Sequence, residues 1–230
     1  MVFVQIDPRL AQSRYRNMSQ YDYKIEYERN LPHFQPPGAT LFVTFRLAGS
    51  IPRVVLERLK AEAEERERAI KNTAVPAELD ALLYEAQKIQ LGRWDDVLDQ
   101  ASEGPFWLCK PEVAEIVVEA FHYRDGNVYD LDVFTVMPNH VHAVFRPLQK
   151  SDGHYHALQT ILHSLKRYTA GLANDVLGRE GAFWQHESYD HVVRDQKEWE
   201  RIVNYVINNP VKAGLVDYWE AWPWTWLKDL

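Results

Sequence analysis

Two runs of β-forming residues separated by three turn residues constrain this chain more than any other feature. Residues 127–136 (NVYDLDVFTV) and 140–146 (HVHAVFR) flank Met137-Pro138-Asn139. A connection that short returns the chain antiparallel, because a parallel crossover needs a dozen residues or more. Helical patterns lie on either side, at 111–123, where Pro111 suits the first turn, and at 154–177, closing at Gly178. Upstream, 39–47 (ATLFVTFRL) follows a Pro36-Pro37-Gly38 turn and reads as a buried strand. Downstream, 188–194 reads as a short strand. Asp195 then caps a helix to about Asn208, with Glu198 at capping-box spacing and Pro210 ending it. This order predicts an α+β fold, a mainly antiparallel sheet with helices on one face. A parallel doubly wound sheet is the weaker alternative, since it has no place for the hairpin.

The chain has 230 residues, 46% of them hydrophobic, enough to bury the core of one medium domain. Its formal charge of −7 excludes a broadly basic nucleic-acid coat protein. That charge is local. Residues 57–103 carry twelve acids against seven bases, whereas residues 138–215 carry nine bases against eight acids. Within the acidic stretch, 53–72 and 78–91 read as helices and 92–104 as a loop. The organisation expected is therefore a tyrosine-rich N-terminal arm, 1–35, and a single domain, 36–230, with a helical insertion at about 53–104. The single cysteine, Cys109, excludes a disulfide framework or a cysteine zinc cluster and reads as a small buried hydrophobe. The start, MVFVQIDPRLAQ, lacks the basic-then-apolar pattern of a signal peptide, and no run approaches the ~20 apolar residues of a membrane span. A soluble protein of a reducing compartment is expected, with no membrane partner. Trp219, Trp222, Trp224 and Trp226 in the tail read as packing anchors rather than base stackers.

Two constellations carry chemistry. In a strand over 140–146, His140, His142 and Val144 point one way and Val141, Ala143 and Phe145 the other. One face is core, and the opposite face holds two imidazoles about 7 Å apart along the strand. Such a pair either shares a divalent ion or sits half-buried and satisfied by hydrogen bonds. The second constellation is Tyr205 and Asn209, four apart and so on one helix face. Near a metal they offer a phenol oxygen and a carbonyl ligand. Away from one, they are a core or rim aromatic and a helix C-cap before proline.

Taken together, MPNHVH (137–142), GAFWQHESYDHVVRD (181–195) and YVINNPVKAGLV (205–216) resemble the REP-associated tyrosine transposases, single-tyrosine members of the HUH (histidine–hydrophobic–histidine) class. ATLFVTFRL and ILHSLKRYTA (161–170) fit the same family, and the resemblance covers about 31–226. The segment 61–104 departs from it, being longer and more acidic than the minimal family core. The resemblance implies a ferredoxin-like core in which His140 and His142 hold Mg²⁺ or Mn²⁺, Asn209 supplies a third ligand, and Tyr205 is the nucleophile. An amide ligand and a phosphate substrate favour these harder ions over zinc. The implied activity is cutting and rejoining of single-stranded hairpin DNA through a 5′-phosphotyrosine, by a bacterial, cytoplasmic protein that meets the nucleoid as it acts. Either a monomer or a homodimer is compatible with it.

Further residues have two readings each. Lys166 and Arg167 would neutralise phosphates or form a solvated helix face. Trp184 and His186 would stack on an unpaired base, or Trp184 would pack in the core. Glu187 would supplement the metal site or lie exposed, and His163 and His191 read as satisfied core histidines. The competing functions are a repeat-DNA-binding protein with a degenerate, non-cleaving site, and a metal-dependent nuclease that releases its product by hydrolysis.

Overall fold

A computed structural model describes residues 28–29, 31–32, 36–101 and 103–229. Nearly all of the expected N-terminal arm lies outside the described residues. The exception is a short antiparallel ladder between β1 (Glu28–Arg29) and β2 (Leu31–Pro32). Two compact units divide the chain, Leu47–Phe106 and the remainder.

The larger unit is built on a five-stranded antiparallel sheet. Its strands are β3 (Leu41–Arg46), β4 (Tyr129–Val136), β5 (His140–Pro147), β6 (Tyr189–Val192) and β7 (Thr225–Leu227), in the order β6-β3-β5-β4-β7. The hairpin of β4 and β5 is central, and β3 pairs along the outer side of β5. Cross-strand partners share a face, so the register sorts the side chains. Val43 opposite Ala143, itself opposite Phe134, and Phe45 opposite Val141, make one face of the three central strands apolar. Helices α3 (Pro111–Arg124) and α4 (Leu158–Leu177) cover it. Phe121 of α3 stacks on Phe134 with ring centroids 4.9 Å apart, and Lys166 of α4 lies over the Phe45 ring. Gly178 closes α4 in the left-handed conformation at φ 61°, as its position after the last apolar turn predicts.

The α+β class and the antiparallel sheet agree with the sequence reading, but the helices do not all share a face. Helix α5 (Gln196–Lys212) crosses the opposite one, where Tyr205 meets Phe42 and His142. A bulge in β4 explains part of this placement. Leu131 and Val133 pair with consecutive residues of β5, leaving Asp132 as the extra residue. Its carboxylate accepts a 2.7 Å bond from Trp199 Nε1 of α5. Asp195 caps α5 by accepting from Glu198 N at 2.9 Å, as its spacing predicts. The Glu198 carboxylate reaches back to Arg194 N and to His191 Nε2 on β6, so His191 is a satisfied buried histidine.

Pro210 does not end α5, which continues through it to Lys212. Pro210 and Asn209 are both buried, and the bonds from Ala213 N to Asn209 O and from Gly214 N to Val211 O carry the last turn past the missing N–H. Two of the four tail tryptophans pack against the sheet. Trp226 on β7 stacks over Phe134 at 6.0 Å, and Trp222 Nε1 donates to Val136 O.

In the smaller unit, α1 (Arg53–Thr73) and α2 (Leu79–Asp99) form a helical pair. Gln90 Nε2 donates to Leu59 O, and Arg93 pairs with Glu62. The acidic segment expected as a loop from Gly92 is helical to Asp99. One glycine costs a helix only about 1 kcal/mol, and the helix-forming run on either side outweighs it. Two further expectations fail. Cys109 and His163 are exposed rather than buried, each lying on the outer side of its helical turn.

Candidate active site

The non-apolar face of the sheet carries a row of polar and aromatic side chains across all five strands. Tyr189, Thr44, His142, Thr135 and Thr225 are successive cross-strand partners. His140 sits one step along, opposite Arg46. Both imidazoles are fully buried, and Thr44, Arg46, Asn139 and Thr135 are buried beside them. A sheet pays a desolvation penalty for such a row unless each member is satisfied, and most members are. Thr135 Oγ1 and Thr225 Oγ1 are 2.7 Å apart. His140 Nδ1–H donates to Asn139 Oδ1 at 2.7 Å, and His142 Nδ1 lies 2.7 Å from Thr44 Oγ1.

These outer bonds turn the two Nε2 atoms toward each other, 3.0 Å apart. Two ligands at right angles on an ion with bonds of about 2.1 Å are separated by about 3.0 Å. Burial pushes the His140 pKa down to about 3, with the positive charge of Lys212 adding to the effect. His142 is held well below the usual value by burial, then by His140 and Lys212. Both rings are therefore neutral at physiological pH and keep lone pairs available.

Tyr205 is half-buried on α5, its ring centroid 5.5 Å from that of His142 and 6.1 Å from that of Phe42. Because α5 runs through Pro210, Asn209 lies a full helical turn beyond Tyr205 on the same side. Asn209 is completely buried, and neither Oδ1 nor Nδ2 has a hydrogen-bond partner among the described residues. A buried carboxamide left unpaired costs roughly 1–3 kcal/mol, which an external ligand would recover. Two convergent imidazole nitrogens, and an unpaired amide oxygen on α5, are donor types that suit a divalent ion such as Mg²⁺ or Mn²⁺.

The other candidates are placed differently. Trp184 is buried, donates from Nε1 to Thr169 Oγ1 at 2.8 Å, and meets Phe45 edge-on at 4.8 Å. It is core packing, not a platform for a base. Lys166 does not project toward solvent as a phosphate contact. Its ammonium donates to the carbonyls of Gln185 and His186 and to Ser188 Oγ, and so fastens the loop before β6. Arg167, His186 and Glu187 are exposed.

Sequence reasoning did not single out Thr44, Asn139, Arg46 or Lys212. For Thr44 and Arg46 a signal existed, since polar residues recur at alternate positions of the otherwise apolar ATLFVTFRL. Burial holds the Arg46 pKa below its ordinary value, partly offset by the Glu187 carboxylate.

No protein-family model matches the chain. It is similar to a putative REP-associated tyrosine transposase of Haemophilus influenzae, 28% identical over 98 residues, 39% of this chain and 54% of that protein. A REP-associated tyrosine transposase of Escherichia coli is 25% identical over 97 residues, 42% of this chain and 53% of its own length. The chain thus spans about half the length of the curated relatives it matches. A solved structure, described as a REP-associated tyrosine transposase bound to a REP hairpin, aligns with 87% of this chain and 81% of its own at a TM-score of 0.44 and 16% identity. Among the described residues, no helix is long and apolar enough to cross a membrane.

Proposed function

We propose that this chain is a DNA strand-transfer enzyme of the REP-associated tyrosine transposase kind, acting on single-stranded hairpin DNA. Tyr205 is its nucleophile, and His140, His142 and Asn209 hold Mg²⁺ or Mn²⁺. The observation that carries the reading is the half-buried phenol of Tyr205 against a pair of neutral, convergent imidazoles, with an unsatisfied carboxamide one turn further on. The names of the sequence relatives support it.

In this reading Tyr205 Oη attacks the scissile phosphorus in line. A P–O bond to tyrosine forms as the bond to the 3′ oxygen breaks, and the proton lost by the phenol is balanced by one gained at the 3′ oxygen. An ion held by His140, His142 and Asn209 would supply charge neutralisation at a non-bridging phosphate oxygen. The neutral histidines serve as ligands, not as acids, since burial keeps them unprotonated. Phe42 and His142 restrict the Tyr205 ring on two sides, which limits its rotamers before substrate arrives. The covalent product keeps the phosphodiester bond energy, so a second 3′ hydroxyl reseals the strand without a nucleotide cofactor. The partner is hairpin DNA, and the protein acts in the bacterial cytoplasm, where that DNA lies.

The test is a denaturing gel of the protein incubated with single-stranded hairpins from its own genome and Mn²⁺. The native protein yields a protein–DNA adduct. Tyr205→Phe yields none, since it lacks the attacking oxygen, and binds the hairpin within about twofold of the native chain. Adduct from the variant removes Tyr205 from its role. Tight hairpin binding by the native chain without adduct leaves the non-cleaving binder.

A further inference from the structure

The hydrogen bonds linking Thr44, His142, His140 and Asn139 fit one proton arrangement when nothing lies between the two Nε2 atoms. Asn139 Oδ1 is a carbonyl oxygen and accepts, so His140 carries its proton on Nδ1 and its Nε2 is bare. A second bare nitrogen 3.0 Å away would set two lone pairs against each other. His142 must therefore donate from Nε2 to His140 Nε2, and its Nδ1 accepts from the Thr44 hydroxyl. The chain runs in one direction: Thr44 O–H to His142, His142 N–H to His140, His140 N–H to Asn139.

Binding an ion requires both Nε2 atoms to be bare. His140 is already in that form. His142 is not, and its proton must move to Nδ1, where the group 2.7 Å away is Thr44 Oγ1. A hydroxyl both donates and accepts, and its hydrogen rotates to suit. We propose that Thr44 is the tautomer adaptor of the site, donating to His142 Nδ1 in the ion-free protein and accepting from His142 Nδ1–H when the imidazole pair holds a divalent ion.

Asn139 cannot play this part, because its oxygen accepts in both states. Thr44 can, and β3 holds it there by pairing with His142 on one side and Tyr189 on the other. The exchange moves one proton between two nitrogens of one ring, so net charge is conserved. Valine at 44 would preserve shape and β propensity but could neither donate nor accept. The inference rests on the metal reading of His140 and His142 and not on the DNA chemistry of Tyr205.

The experiment uses the whole chain, stripped with a chelator, native and with Thr44→Val or Thr44→Ser. Titration with Mn²⁺, followed by calorimetry, reads affinity. ¹⁵N shifts of the histidine rings, before and after Mg²⁺, read the tautomer. In the native protein the His142 proton moves from Nε2 to Nδ1 on adding Mg²⁺, while His140 stays Nδ1-protonated. Thr44→Val weakens Mn²⁺ binding by about 10–100-fold, the range for removing a bond that orients a histidine ligand. Thr44→Ser restores it to within about threefold. Native affinity in Thr44→Val, or a His142 proton already on Nδ1 before the ion is added, overturns the adaptor while leaving the metal site standing. A native protein that binds no Mn²⁺ overturns the metal reading itself and the adaptor with it. Adduct formation at Tyr205 is scored separately and bears on neither result.

Discussion

The two faces of the central sheet are made by the same strands and differ in almost every other respect. On one, Phe45, Val141, Ala143 and Phe134 meet Phe121 and Trp184 in a continuous aromatic and aliphatic layer. On the other, Thr44, His142, Thr135 and Arg46 form a buried polar row, and α5 lies across that face with Tyr205 against Phe42 and His142. The first face is specified by shape and buried area. The second is specified by hydrogen-bond partners and is left incomplete at Asn209. A strand alternates its side chains, so one sequence can serve both tasks without compromise between them. The apolar face carries stability, and the polar face gives some of it up to hold a site.

Breaking the apolar face should produce the largest change in stability. Phe121 is fully buried, stacked on Phe134 at an interplanar angle of 8° and close to Phe45. Phe121→Ala should cost about 3–5 kcal/mol, from lost transfer free energy and the cavity left behind. Urea denaturation followed by tryptophan fluorescence measures it. A cost below about 1 kcal/mol would mean that this layer does not carry the fold.

Trp184 offers a smaller and more selective break, since it belongs to the apolar face but was also a candidate for base stacking. Trp184→Phe keeps the ring against Phe45 and deletes the bond to Thr169 Oγ1. The expected cost is about 1–2 kcal/mol, a hydrogen bond plus some lost packing. Hairpin affinity should stay within about twofold in a fluorescence-anisotropy titration. A tenfold loss of affinity with unchanged stability would return Trp184 to the DNA side.

The contrast between the faces also explains how much could be read in advance. The His140–Val141–His142 alternation marked both faces at once, because Val141, Ala143 and Phe145 alternate with the histidines and so point the other way. The hairpin followed from its three-residue turn, and the Asp195 cap from side-chain chemistry within four residues. Each of these signals is local. What escaped depended on partners far apart in sequence. Thr44 reaches His142 across 98 positions, and Trp199 finds Asp132 across 67. No periodicity records such bonds, and the second puts α5 on the face opposite α3 and α4. Pro210 misled for a related reason. A proline near the end of an amphipathic helix reads as a stop, but here its buried ring and the bonds after it let the turn continue. Lys166 looked like a free cation on a helix, and only the tertiary fold brings the carbonyls of Gln185 and His186 to it.

The smallest expected effect is also the one whose sign separates the faces. Asn209 is as buried as Phe121, so a rule based on burial alone predicts that truncating either is costly. The chemistry predicts otherwise. The Asn209 side chain contributes no hydrogen bond among the described residues, and its two polar atoms are desolvated without compensation. Asn209→Ala removes that penalty and leaves a cavity of only a few atoms. The two terms nearly cancel, so in the presence of a chelator the variant should lie within about 1 kcal/mol of the native protein, on the stabilised side. With Mn²⁺ added the order should invert. The native protein gains stability as the ion binds, by the logarithm of its saturation, while the variant has lost a ligand and gains less. Thermal unfolding of both proteins with and without Mn²⁺ reads all four values. A loss of 2 kcal/mol or more under chelator would show that Asn209 is a structural member of the core, and the polar face would then be as fully specified by packing as the apolar one.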